Sequence, residues 1–139
     1  MVHAASYPKR REMVLDKALF ENRRELARVL VHEVFHFAWP RLGNAARRSY
    51  EELLEAEFRR SARGELGWPS ELLKTRLSSM DVDERSRRWR EYACESFCDT
   101  AAWLYSGLRN HPEWTLGTQY RLRRASWFDT LTESGPLIL

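Results

Sequence analysis

Apolar residues recur at helical spacing along most of this chain, with one exception near its start. In REMVLD, residues 11–16, Met13, Val14 and Leu15 make a short β-prone run that predicts a strand. NRRELARVLVHEVFHFAWP then predicts a helix. Asn22 can cap it, Glu25 three positions later completes a box-like N-terminus, and Pro40 ends it because the residue before a proline avoids helical geometry. After the punctuation at Gly43 and Asn44, a second helix places Ala46, Tyr50, Leu53, Leu54 and Phe58 on one face. RGELGWPS reads as a turn-rich connection, and SELLKTRLSSM as a short helix capped by Ser70.

A long helix is expected from Asp83 to Tyr105, stopped near Gly107. A last helix follows in TLGTQYRLRRASWFDTL, where Leu116, Tyr120, Trp127, Phe128 and Leu131 recur at helical intervals. The first ten residues read as a loose arm, and the closing GPLIL as an apolar tail able to pack back on the core. No repeat or linker divides the chain. The expectation is one domain over residues 1–139, α+β in class and mostly helical, with a short sheet beside the histidine-bearing helix.

Composition narrows this only a little. Of 139 residues, 43% are hydrophobic and 12% aromatic, which is enough for a packed core and argues against disorder. The net charge of +3 is spread over alternating acids and bases. Most of the charge therefore reads as solvated helix surface, with a nucleic-acid face as the minority reading. No run approaches the roughly 18 apolar residues of a membrane span, and the start lacks the apolar core of a secretion signal. Cys94 and Cys98 lie four apart in a helical stretch, a poor geometry for a disulfide. Reduced thiols and a cytoplasmic setting are the expectation.

The chemistry concentrates in LVHEVFHFAW, residues 30–39. On a helix, His32 and His36 share one face about 6 Å apart along the axis, so both imidazoles can reach one metal ion. Glu33 points somewhat aside and can hold a water at the metal. This is the H-E-x-x-H arrangement of a zinc site. Burying three polar groups without partners would cost about 1–3 kcal/mol each, and a metal gives the burial a common cause. A hydrogen-bonded core histidine pair is the plainer alternative.

A catalytic zinc wants a third protein ligand. The other histidines are His3 and His111, and neither the glycine nor the third histidine of the metzincin pattern follows His36, where Trp39 and Leu42 stand instead. In ESFCDTAAW, Glu95 and Asp99 share a helix face among small and apolar residues. Glu95 can ligate the ion, and Asp99 can accept the second ring N–H of a histidine. Glu91, one turn earlier, is the alternative ligand. Cys94 and Cys98 could instead close a structural site of two imidazoles and two thiolates, or simply fill the core.

H-E-x-x-H on one helix, followed by a helix carrying E-x-x-x-D, resembles the gluzincin clan of zinc metallopeptidases. The length is similar to its smallest members, the minigluzincins. The resemblance implies a small zincin-like domain with one Zn2+ per chain, held by His32, His36 and Glu95. It also implies Asp99 supporting a ligand histidine, Glu33 as the general base, and a peptide or protein as substrate. REMVLD would be the edge strand that binds extended peptide. Regulatory proteases of the ImmA/IrrE type share a similar scheme, usually with asparagine where Asp99 stands. A regulatory or interaction protein on the same scaffold, its basic last helix binding a protein or nucleic acid, is the competing expectation. Tyr92 and His111 are candidate donors to an oxyanion, though packing accounts for either more simply.

Overall fold

A computed structural model describes residues 4–139; residues 1–3, His3 among them, lie outside the described residues. The domain is mostly helical with one small sheet. Strands β1 (Ala4–Tyr7) and β2 (Glu12–Leu15) form an antiparallel hairpin, with Ala4 opposite Leu15 and Tyr7 opposite Glu12. The second strand follows from its own β-prone residues. The first replaces the expected loose arm: AASY has little strand preference of its own and is ordered by pairing with β2 and lying on the first helix.

That helix, α1 (Arg23–Ala38), starts where Asn22 accepts a hydrogen bond from the Glu25 backbone N–H at 3.2 Å. The box is only half formed, because the Glu25 side chain turns to Arg28 and His111. Helix α2 (Asn44–Arg59) buries Tyr50 and Leu54 as its apolar face requires. Two boundaries differ from expectation. Helix α3 (Trp68–Thr75) begins before Ser70, which is fully buried inside it rather than capping it. The long helix expected from Asp83 begins only at Arg87, as α5 (Arg87–Tyr105). Asp83 and Glu84 belong to a separate short helix, α4 (Ser79–Glu84), which also takes the end of the expected SELLKTRLSSM helix. Arg85, between α4 and α5, is left-handed at φ 50°. The break is stabilised locally by the Ser78–Asp81 capping box and the Ser86 cap of α5, and at long range by Arg85, which reaches Glu51 at 2.6 Å. No glycine or proline marks it.

Helix α5 runs through the centre. Phe97 is fully buried and meets the rings of Phe35, Trp39, Tyr50, Trp127 and Phe128. Ala93, Ala101 and Ala102, all buried, let neighbouring elements approach closely. Helix α6 (Thr118–Glu133) closes the core with Phe128. Leu116 precedes this helix and packs with Leu66 and Trp114 in a second, smaller cluster. The tail closes only in part: Leu137 is half-buried beside Leu42 and Leu131, while Ile138 and Leu139 are exposed.

The basic face expected on the last helix is largely internal. Arg124 is fully buried, and its guanidinium binds Glu57 at 2.7 and 3.0 Å and Glu65 at 2.8 and 2.9 Å. It also donates to the Thr100 hydroxyl, while Tyr92 donates to Glu65. Arg121 donates to the Leu116 and Trp114 carbonyls. Among the described residues, no helix is long and apolar enough to cross a membrane.

Candidate metal centre

Helices α1 and α5 lie side by side, and their facing positions carry the chemistry. His32 and His36 project from α1 with their Nε2 atoms 3.2 Å apart. Glu95 comes from α5, one oxygen 3.1 Å from the His32 Nε2 and the other 3.3 Å from the His36 Nε2. A tetrahedral ion bonded to nitrogen and oxygen at about 2.0–2.1 Å would hold its donors about 3.3 Å apart. Each imidazole thus stands near that separation from its own nearer Glu95 oxygen and from the other ring, and one ligand atom from each of the three residues lies within 4.8 Å of the other two. Two Nε2 atoms this close cannot both turn hydrogens toward each other, and with both lone pairs bare a cation between them would satisfy both.

Glu91 is half-exposed and pairs with Arg87 at 3.0 Å, away from the imidazoles. The choice between the two glutamates follows from helix phase: Glu95 falls on the face of α5 that meets α1.

The His32 ring is oriented from behind. Its Nδ1 lies 2.7 Å from Asp99, which is fully buried. The second Asp99 oxygen accepts from the Ser70 hydroxyl at 2.7 Å and the Ser70 backbone N–H at 3.2 Å. That amide belongs to the first turn of α3, so the positive end of the helix faces the carboxylate. Gly67 makes the approach possible: a Cβ there would sit 2.3 Å from the Asp99 carboxyl carbon. Gly67→Ala must therefore push Asp99 or α3 aside. Its expected cost is about 1–3 kcal/mol of stability and about 10–100-fold in zinc affinity through loss of the orienting bond. Chelator competition reads the second effect, and an unchanged zinc affinity would show that Asp99 does not set the ring.

Glu33 is buried at the cleft wall. The Ser6 hydroxyl of β1 donates to its Oε2 and to its backbone carbonyl. Oε1 is engaged by no described residue. Ser6 carries no signal in the sequence, and Ser70 reads there only as a helix cap, since the partners of both are remote. Gly67 was visible as turn punctuation, but its role beneath Asp99 was not.

The thiols sit on the other side of His36. Cys94 Sγ lies 3.6 Å from its Nδ1, and Cys98 is fully buried one turn on. The four-ligand site of both histidines and both cysteines does not form, because His32 faces Glu95 and Asp99 instead. Tyr92 is fully buried against Glu65, and His111 pairs with Glu25 at 3.0 Å, so neither offers an obvious donor to an oxyanion.

The centre opens into a cleft of about 1020 Å³ between α1 and α3. Val29, Trp68, Pro69 and Leu72 supply apolar wall, with Trp68 and Leu72 exposed. Ala4 brings β1, rather than the expected REMVLD strand, to the cleft edge. At one end Arg28, itself buried, sits between Glu25 and Glu113.

Protons would compete with a metal for this centre. Burial alone would lower the His32 pKa, but the Asp99 carboxylate outweighs it and raises the ring well above its ordinary range. For His36 burial is likewise outweighed, by hydrogen bonds with Cys94 and Glu95, giving a rise from 6.5 to about 10. Burial would raise Glu95, yet the two imidazoles hold it well below the usual carboxylate range. Without metal, the imidazolium contribution to stability is full below pH 6.5 and fades as pH climbs through about 10. The Glu95 contribution is present above its ordinary 4.5 and fades as pH falls through its depressed value. Zinc would need the imidazoles unprotonated, so its binding is expected to strengthen as pH rises. The gain in Tm on adding zinc should therefore grow between about pH 5.5 and about pH 8. A gain independent of pH would exclude imidazole ligands.

The chain matches no protein-family model, no curated protein and no solved structure. The chemistry of the centre has to be read from its own geometry.

Proposed function

We propose that this protein is a zinc-dependent metallopeptidase of the gluzincin type. The observation that carries the reading is the convergence of His32, His36 and Glu95, with ligand atoms within 4.8 Å of one another, in the lining of an open cleft. The donor set of two imidazoles and one carboxylate suits a catalytic zinc with one position left for substrate or water. When bound, zinc supplies an acidified water and polarises the scissile carbonyl.

The chain's own groups do the rest. Asp99 keeps the His32 proton on Nδ1, leaving the Nε2 lone pair for the ion. Ser6 pins one oxygen of Glu33, and the free Oε1 takes the proton from the attacking water and passes it to the leaving amine. The exposed Trp68 and Leu72 give a peptide an apolar wall to lie against. No described residue is assigned to the oxyanion beyond the ion itself.

The test is cleavage of a mixed peptide library by the zinc-loaded chain. Cleavage should disappear on chelation and return with zinc. A chain holding one zinc that cleaves no peptide would overturn the peptidase reading, and the zincin scaffold would then serve regulation or interaction.

A further inference from the structure

His36 has two ring nitrogens, and only one belongs to the centre described above. Its Nδ1 faces Cys94, and a ring nitrogen of His36, Cys94 Sγ and Cys98 Sγ lie within 4.8 Å of one another. Cysteines four apart on α5 project from the same face one turn apart, and α1 delivers the imidazole between them and the zinc ligands. The Nδ1–Cys94 Sγ distance is 3.6 Å. A tetrahedral ion bonded to sulfur at about 2.3 Å and to nitrogen at about 2.0–2.1 Å spans its donors by about 3.6 Å. Both thiols are free, Cys98 fully buried and Cys94 half-buried, so the latter gives an ion its way in.

We infer that Cys94, Cys98 and the His36 Nδ1 form a second metal site, selective for soft, thiophilic cations, and that filling it expels zinc from the first. Two thiolates and one imidazole favour monovalent copper and cadmium-like ions over hard, oxygen-seeking ones. Binding a divalent ion releases both thiol protons to solvent, so charge and atoms balance with no oxidant.

The antagonism is a matter of lone pairs. A neutral imidazole has one lone pair and one N–H. Metal at Nδ1 sends the remaining proton to Nε2, which then cannot ligate zinc. Zinc is left with His32 and Glu95, one ligand short. This antagonism rests on the metallopeptidase reading of the first site; the thiolate site does not.

The experiment uses the reduced, zinc-loaded full chain without oxygen, with cadmium chloride as probe. A thiolate-to-cadmium charge-transfer band reports the second site, and a chromogenic indicator reports released zinc. The expected result is a band saturating at one cadmium per chain, with one zinc released in parallel. Cys94→Ala and Cys98→Ser should each weaken the band's cadmium affinity tenfold or more and suppress that coupled release. Cys94 is half-buried, so its variant should fold, which circular dichroism checks. A zinc-loaded chain giving no band overturns the thiolate site and leaves the peptidase reading standing. A band with zinc fully retained overturns the antagonism. A band in a chain that takes up no zinc supports the thiolate site and counts against the peptidase reading instead.

Discussion

Glu33→Gln is expected to leave zinc content and thermal stability unchanged while lowering peptide hydrolysis by about 10²–10⁴-fold, the usual contribution of a positioned acid–base group. The reasoning is local. Glutamine has the shape of glutamate, and its amide oxygen can still accept the Ser6 hydroxyl that now bonds Glu33 Oε2. Glu33 is not among the three converging donors, so a bound ion would keep those three. What is lost is the ability to take and return a proton. The fall should appear in kcat, with KM little changed, because the group acts on the transition state rather than on binding. Two outcomes would be fatal to the assignment: hydrolysis that survives the change, or zinc that leaves with it.

Arg124→Met should have the largest effect on stability, about 3–5 kcal/mol, as expected for breaking a buried ion pair by removing one partner. Arg124 is enclosed completely and binds two carboxylates, of which Glu65 is also fully buried. Burial would raise Glu65, yet the adjacent guanidinium keeps it below the ordinary carboxylate range. Methionine fills much of the volume but leaves two negative charges with too few partners; Lys74, 3.5 Å from Glu65, can answer only one of them. Adding Glu57→Gln and Glu65→Gln should therefore restore part of the loss, since the penalty lies in uncompensated charge rather than in the pair itself. Urea unfolding of the zinc-saturated variants measures both steps. If Arg124→Met alone costs less than about 1 kcal/mol, water must reach these carboxylates and the network is not sealed.

The network also explains why the charge pattern misled. RLRRASW reads as a basic, solvated stretch, and only one of its arginines, Arg123, is exposed; Arg121 is half-buried on backbone carbonyls and Arg124 is in the core. Their partners are supplied from afar: Glu57 is 67 positions before Arg124 and Glu65 is 59. A similar distance hides the break at Arg85, whose side chain is held by Glu51, 34 positions earlier. The strand at Ala4–Tyr7 needed β2 and α1 to order it.

The sequence by itself determined the mostly helical α+β class, the cap at Asn22, the strand at Glu12–Leu15 and the placing of His32, Glu33 and His36 within one turn of one helix. Each of these depends on neighbours a few residues away, where propensity, capping and helical period act. The tertiary structure alone decided that Glu95 and not Glu91 meets the imidazoles, that Asp99 lies behind His32 over Gly67 and under Ser70, and that Ser6 holds Glu33. Those choices depend on which faces of α1, α3 and α5 pack together, and on charges that burial forces to find partners between 27 and 67 positions away along the chain. Side-chain identity sets what each group can bind, but only the packed core brings the partners within reach.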